Sequence, residues 1–122
     1  MSLNKPEPDP VKNDHPPVWP WVIEQFRGIL PAADQKRVVA HLVTQDMAER
    51  HMQGIEKYGV ALQPHNGRDA LTDAYQEALD LCAYLAQDEM EESCDDQPAP
   101  ILLRAMKMAF EIRERIKERD KA

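Results

Sequence analysis

The sequence predicts an all-α protein, an antiparallel helical bundle of about four helices with a flexible Pro-rich N-terminal arm. Three observations predict this class. Helix-forming residues such as Ala, Leu, Met, Glu, Gln, Lys and Arg dominate after residue 32. No stretch alternates polar and apolar residues as a half-buried strand would. Only four Gly occur among 122 residues, so few positions would interrupt a helix.

Residues 1–17 predict the flexible arm, because they hold five of the ten prolines and almost no side chain that could be buried. Residues 18–122 predict a single all-α domain. Its 43% hydrophobic content can form a core. A chain this short usually gains stability by associating with copies of itself, so we expect a homodimer or homotetramer.

The first helix is predicted to begin near Pro20 and to end before Pro31, because proline is favoured in a first turn and excluded from a helix interior. Its two indoles, Trp19 and Trp21, are expected to pack on the bundle or on a neighbouring subunit. The alternative is that one of them stacks on a nucleobase.

The second helix is predicted from Asp34, as N-cap, to Tyr58, with Gly59 as the first residue beyond its end. Its expected core-facing side changes character about halfway along. The apolar half comprises Val39, Leu42 and Val43, and the charged half comprises Asp46, Glu49, Arg50, Gln53 and Lys57. A core face that becomes charged is typical of a functional site.

The third helix is predicted over 68–87, and it carries a stripe of acids. With Asp73 at zero, 100° per residue places Glu77 at about 40° and Asp80 at about 340°. Asp69 begins the same stripe and is expected to serve only as a cap. No Lys or Arg lies within the stripe. Two interpretations stay open, because the stripe is either the wet face of a buried helix or part of a cation site.

Two acidic pairs have the same i,i+3 spacing, Asp46 with Glu49 and Glu77 with Asp80. The loop between the two helices is short enough to make them antiparallel neighbours, so both pairs could face a common point. Carboxylate oxygens are the ligands that Mg²⁺ and Mn²⁺ prefer. We therefore expect these four acids to bind Mg²⁺ or Mn²⁺, with Asp73 as a further ligand or a supporting acid.

Basic residues near that loop are candidates for binding phosphate, helped by the free N–H groups at the start of the third helix. They are Lys57, His65 and Arg68. Arg50 is a further candidate, unless it pairs with Asp46 at i,i+4. The alternative for the loop is that Asn66 and Gly67 form a turn and cap while Arg68 pairs with a surface acid.

The acidic segment 88–96 is expected to be a solvated helix end and linker. A last helix is predicted over 101–121, with a role in packing or dimerisation. Its apolar stripe comprises Leu102, Ala105, Met106, Ala109, Ile112 and Ile116.

Three segments follow one another along the chain, KYG at 57–59, NGRDAL at 66–71 and DAYQEALD at 73–80. In this order, they resemble small phage and prophage proteins of the MazG-like all-α NTP pyrophosphohydrolase superfamily. Members of that family pair a Glu-rich motif on one helix with Glu-x-x-Asp on the next. The second motif matches Glu77 and Asp80, and the first is approximated by Asp46 and Glu49. The resemblance implies Mg²⁺-dependent hydrolysis of a nucleoside triphosphate to the monophosphate and pyrophosphate, with Glu49, Glu77 and Asp80 as catalytic residues.

Two other functions stay open. The family's first motif begins with two adjacent Glu residues, and Asp46 at that place favours a non-catalytic protein that binds or sequesters a nucleotide. The other is a purely structural helical oligomer, in which the acidic stripe faces solvent and the apolar residues 19–30 drive assembly.

Composition excludes several classes. A net charge of −7 and a pI near 5.0 are unsuited to nucleic acid, which needs a basic surface. No apolar run reaches the ~18 residues of a membrane span and no signal peptide is evident, so we expect a cytoplasmic protein. Cys82 and Cys94 are expected to be reduced. The histidines, including His41 and His51, show no zinc-ligand spacing.

Overall fold

The computed structural model describes residues 7–29, 34–92 and 97–121, with only the backbone of Asp34 and Gln35. These residues form four helices and no strand: α1 (Val18–Gly28), α2 (Asp34–Tyr58), α3 (Ala70–Glu92) and α4 (Pro100–Lys121). The predicted all-α class is therefore confirmed. Residues 1–6 of the predicted arm, Cys94 and the Asp34 side chain lie outside the described part.

The chain divides into two compact units, which are described one at a time. The N-terminal unit is Glu7–Arg68, in which α1 packs against α2. The C-terminal unit contains the described residues 69–121, in which α3 packs against α4. The single domain expected over 18–122 stays a prediction. No helix in the described ranges is long and apolar enough to cross a membrane.

The bounds of α2 agree with the sequence prediction. Gly59, just beyond its end, has φ +76°, and its N–H donates to the carbonyl oxygen of Ile55 at 2.7 Å. This left-handed conformation is disfavoured for residues with a Cβ, which explains why a glycine ends the helix. Helix α1 begins at Val18, before the predicted start at Pro20, and α3 continues past Gln87 to Glu92.

The buried side of α2 differs from the predicted core-facing side. Ala40 and Thr44 are buried, whereas Val39 is 60% exposed and Leu42 is 53% exposed. The expectation that Val39 and Leu42 face the core is therefore wrong for the described chain. The buried positions are four residues apart and share one helix face, which the larger apolar side chains flank. The face that continues into Asp46 and Glu49 is thus an exposed one.

Helices α3 and α4 form an antiparallel pair whose core consists mainly of small side chains. The buried residues of α4 are Leu102, Ala105, Ala109 and Ile116. These belong to the predicted stripe, in which Met106 is instead 45% exposed. Two contacts fix the direction of the pair. At one end Glu89 of α3 accepts a hydrogen bond from the N–H of Ala99 at 2.8 Å, and at the other Arg119 of α4 donates to Asp69 at 2.8 Å.

Residues 7–18, which we call the N-terminal strap, pack along the loop that connects α2 to α3. Its backbone N–H groups at Val11 and Val18 donate to the carbonyl oxygens of Asn66 and Leu62, each at 2.8 Å. Composition predicts a flexible arm here, but it does not predict these contacts. They hold the described part of the arm against the loop within the N-terminal unit.

Two amide side chains reinforce the strap. The Asn13 amide donates to the carbonyl oxygens of Pro64 and His65 at 2.9 and 3.0 Å. The Gln63 amide donates in return to the carbonyl oxygens of Asn13 and His15, both at 2.7 Å. The Asn13 N–H also donates to the Gln63 side-chain oxygen at 3.0 Å. Each amide therefore satisfies backbone groups that helices and sheets would otherwise pair.

Candidate functional site

The acidic stripe of α3 lies on the side of the helix away from its packed residues. Glu77 and Asp80 are exposed and Asp73 is half-buried. Ala78 is buried and Cys82 is half-buried, each about 200° from Asp80 at 100° per residue. Within the described contacts, neither Glu77 nor Asp80 forms an ion pair. The two carboxylates are thus accessible to a cation and adjacent along one helix face.

Asp69 has a different role from the rest of the stripe. Its carboxylate accepts hydrogen bonds from the N–H of Thr72 at 3.1 Å and from the Thr72 hydroxyl at 2.6 Å. This is the geometry of an N-cap, so the expected capping role is confirmed. The hydrogen bond from the Thr72 hydroxyl is the main cause that lowers the pKa of Asp69. Partial burial opposes the shift, and the hydrogen bond from Arg119 adds to it.

Helix α2 presents its acids beside an open groove of about 340 Å³. The lining residues are Ala48, Glu49, Met52, Gln53 and Glu56. Asp46 is exposed one turn before Glu49. Sequence reasoning missed Glu56, although its i,i+7 spacing from Glu49 places both acids on one face and could have revealed it. Two exposed carboxylates two turns apart, with Gln53 between them, make the groove acidic and polar.

Each acidic pair belongs to a different unit, Asp46 and Glu49 to the N-terminal one and Glu77 and Asp80 to the C-terminal one. Their meeting at a common cation therefore stays a prediction. In the described residues, no three His, Cys, Asp or Glu side chains form a cluster that could bind a metal ion. The donor chemistry of each pair suits Mg²⁺ or Mn²⁺, since every donor is a carboxylate oxygen.

Arg68 is already engaged by the strap. Its guanidinium donates to the carbonyl oxygen of Pro8 at 2.9 Å and to the Glu7 carboxylate at 3.3 Å. Its N–H donates to the side-chain oxygen of the buried Asn66 at 3.1 Å. Gly67 has φ +86°, as a tight turn requires. The loop therefore adopts the alternative in which Asn66 and Gly67 form a turn and Arg68 pairs with an acid.

The other predicted phosphate-binding residues are exposed. The Lys57 ammonium lies 5.1 Å from the centre of the Tyr58 ring, and the His65 ring lies 4.7 Å from that of His15. His65 has φ +58°, a conformation that histidine tolerates better than most residues. Arg50 is exposed and forms no ion pair with Asp46 within the described contacts. Lys57 lies just before the loop between α2 and α3, and His65 lies within that loop, which contacts the strap.

The two indoles of α1 differ in exposure. Trp19 is half-buried, while Trp21 is 62% exposed in the single chain. The described contacts include no partner that would distinguish subunit packing from base stacking for Trp21.

Comparison with known proteins adds no precedent, since no family model, curated protein or solved structure matches the chain. A function is therefore inferred from the residues themselves.

Proposed function

We propose that the chain is a Mg²⁺-dependent nucleoside triphosphate pyrophosphohydrolase of the MazG-like type. The observation that carries this proposal is the exposure of Glu77 and Asp80 side by side on α3, with no ion pair in the described contacts. Two neighbouring carboxylates without a cation repel each other, at a cost of roughly 0.2–0.5 kcal/mol for an exposed helical pair. A bound cation would remove that repulsion.

The ligands in this proposal are Asp46, Glu49, Glu77 and Asp80, with Asp73 as a fifth acid. When bound, Mg²⁺ or Mn²⁺ would neutralise charge that develops on the leaving pyrophosphate. The catalytic residues in this proposal are Glu49, Glu77 and Asp80, which would hold the cation that binds the phosphate oxygens of the substrate. One of these carboxylates also accepts a proton from the attacking water. The groove beside Glu49, of about 340 Å³, is where substrate would approach α2.

The basic residues around the loop would bind the phosphates of the substrate. Lys57, His65 and Arg50 are exposed. Arg68 would exchange its contact with the Glu7 carboxylate for one with a phosphate oxygen. Both partners are oxyanions, and the guanidinium fork fits either of them. Glu7 thus stands where a phosphate group would bind.

The proposed enzyme acts as a homodimer or homotetramer in the cytoplasm. Large apolar side chains are exposed on both helix pairs of the single chain, and a soluble monomer rarely leaves so many uncovered. They include Trp21, Val38, Val39, Leu42, Met106 and Phe110. Burial of such residues against a second copy would add the core that the small units lack.

Two other functions compete with this proposal. A non-catalytic nucleotide-binding protein is favoured by Asp46, because the shorter side chain departs from the Glu of the family motif. A purely structural oligomer is favoured by the exposed apolar residues on both helix pairs. Only the enzyme requires turnover. The enzyme and the nucleotide-binding protein both require a nucleotide, whereas the structural oligomer does not.

The test is pyrophosphate release from a panel of nucleoside triphosphates with Mg²⁺ or Mn²⁺. Asp80→Asn should lower the rate by roughly 100-fold or more, because even partners that only support a metal ligand are worth 10–100-fold. Asp88→Asn is the matched control, since it removes an equal charge from an exposed position of the same helix. Melting temperatures measured with metal and nucleotide complete the experiment.

The outcomes separate the three functions. Turnover that Asp80→Asn abolishes and Asp88→Asn retains supports the enzyme. Stabilisation by nucleotide without any pyrophosphate release supports the binding protein. A protein that responds to neither metal nor nucleotide is neither the enzyme nor the nucleotide-binding protein, and the proposal then fails.

A further inference from the structure

The N-terminal unit contains a second concavity, which has the opposite charge to the groove beside Glu49. It has a volume of about 180 Å³ and lies between the last turn of α1 and the first half of α2. Its lining residues are Arg27, Arg37, Ala40, His41 and Thr44, and we call it the basic pocket. None of these residues lines the acidic groove.

The floor of the basic pocket follows from the spacing of small residues on α2. Four lining residues occupy positions i, i+3, i+4 and i+7 and therefore share one helix face. Ala40 and Thr44 are both buried and short, so they leave a hollow between the longer side chains. The Thr44 hydroxyl donates to the carbonyl oxygen of His41 at 2.9 Å. The donors available to a ligand are therefore those of the basic residues at the rim.

Among the described residues, those that line the basic pocket are all cationic or neutral, although acids outnumber bases by 22 to 15 in the whole chain. Arg27 is exposed and has no ion pair or hydrogen bond from its side chain within the described contacts. Arg37 also lines the pocket and carries a second guanidinium. A guanidinium has five N–H donors, so each arginine can bind an anion while it retains another partner.

We propose that the basic pocket binds a phosphate group. Two guanidinium forks and an imidazole around a small hollow match the several acceptor oxygens of a tetrahedral oxyanion. The volume is below the roughly 300–1,000 Å³ of pockets for drug-sized ligands, so a phosphate group fits and a whole nucleotide does not. The proposal does not depend on catalysis at the acidic residues, because the two concavities share no lining residue.

A structural role for Arg27 is the rival explanation. Arg27 lies in the last turn of α1, where a positive charge interacts favourably with the helix dipole. That role requires no ligand, and it predicts that phosphate has no specific effect on the protein. The two explanations therefore differ in whether binding of phosphate depends on Arg27.

The experiment is calorimetric titration of the full chain with inorganic phosphate at constant ionic strength. We expect saturable binding to one site per chain. Arg27→Gln should raise the Kd at least about tenfold, because it removes charge-assisted hydrogen bonds. Arg113→Gln is the control, since it removes the same charge from an exposed position of α4 outside the pocket. Circular dichroism of both variants verifies that the helices are retained.

A second titration, with a nucleoside monophosphate, identifies the source of the phosphate group. Tighter binding than inorganic phosphate, again weakened by Arg27→Gln, means that the pocket takes the phosphate of a nucleotide. Weaker binding means that it takes free phosphate. Absence of saturable binding for both ligands would overturn the proposal. So would equal Kd values for the original chain and Arg27→Gln, since phosphate would then bind elsewhere.

Discussion

The two units of the chain are held together by different kinds of interaction. The C-terminal unit consists of two long helices, whose apolar stripe buries Leu102, Ala105, Ala109 and Ile116. The N-terminal unit buries only Ala40 among the apolar residues described, and its strap depends on hydrogen bonds from Asn13 and Gln63. Periodic packing thus determines one unit, and a few specific amide contacts determine much of the other. Mutations should therefore affect the stability of the two units through different interactions.

The largest expected effect is in the C-terminal core. Ile116 has no exposed surface, so Ile116→Ala should lower the free energy of unfolding by about 2–5 kcal/mol through lost burial and a new cavity. Ile101→Ala is the matched control on the same helix, because Ile101 is largely exposed and should lose far less. Urea denaturation of both variants measures the difference. Equal losses would show that the α4 stripe is not the core of this unit.

The next effect is in the strap. Gln63→Ala removes two donated hydrogen bonds and one accepted one, and it should cost about 1–2 kcal/mol because these groups are only partly buried. Hydrogen exchange of the Val11 amide should accelerate, since the strap is released from the loop. Lys12→Ala, at an exposed strap position, is the control. An unchanged exchange rate at Val11 would mean that the amide contacts do not retain the strap.

The cap of α3 gives a smaller and pH-dependent effect. Asp69→Ala should cost about 1 kcal/mol, the typical value of an N-cap. Asp69→Asn retains a capping group but loses the charge that pairs with Arg119. Because the pKa of Asp69 is lowered in the folded chain, its charge stabilises the fold fully at pH values above the ordinary pKa of an aspartate. That contribution disappears as the pH falls through the folded pKa.

Urea unfolding at neutral pH and near pH 3 measures this contribution. The original chain should exceed Asp69→Asn in stability at neutral pH, and the gap should narrow in acid. Asp88→Asn, at an exposed position of the same helix, should show no comparable narrowing. A gap that does not change with pH would contradict the lowered pKa.

The smallest effect on stability is expected at the ion pair between Glu7 and Arg68. The Arg68 and Glu7 side chains are 26% and 15% exposed, and Glu7→Gln retains a side-chain oxygen that can accept from Arg68, so the variant should cost only about 0–1 kcal/mol. If phosphate replaces Glu7 at Arg68, the same variant should lower the KM for a nucleoside triphosphate. Steady-state kinetics with Asp9→Asn as the control checks this. An unchanged KM would exclude competition between Glu7 and substrate.

Local features were predictable from the sequence because they depend on residues close in the chain. The bounds of α2, the cap at Asp69 and most of the α4 stripe follow from helix periodicity and capping chemistry. The pairing of Arg68 with Glu7 spans 61 residues and leaves no periodic signal. The sequence also did not reveal which face of α2 is buried. Ala40 is buried and Leu42 is exposed, but both are apolar, so the hydrophobic pattern does not distinguish their two faces.

The proposed function requires that the acids of α2 and the acids of α3 bind one divalent cation. The most direct test is titration with Mn²⁺, following the electron paramagnetic resonance signal of the free ion, for the original chain, Asp46→Asn and Glu77→Gln. If the pairs act together, each variant alone should weaken Mn²⁺ binding at least about tenfold, because each removes a direct ligand. Binding that neither variant changes, or that depends on only one of the two helices, would contradict the claim.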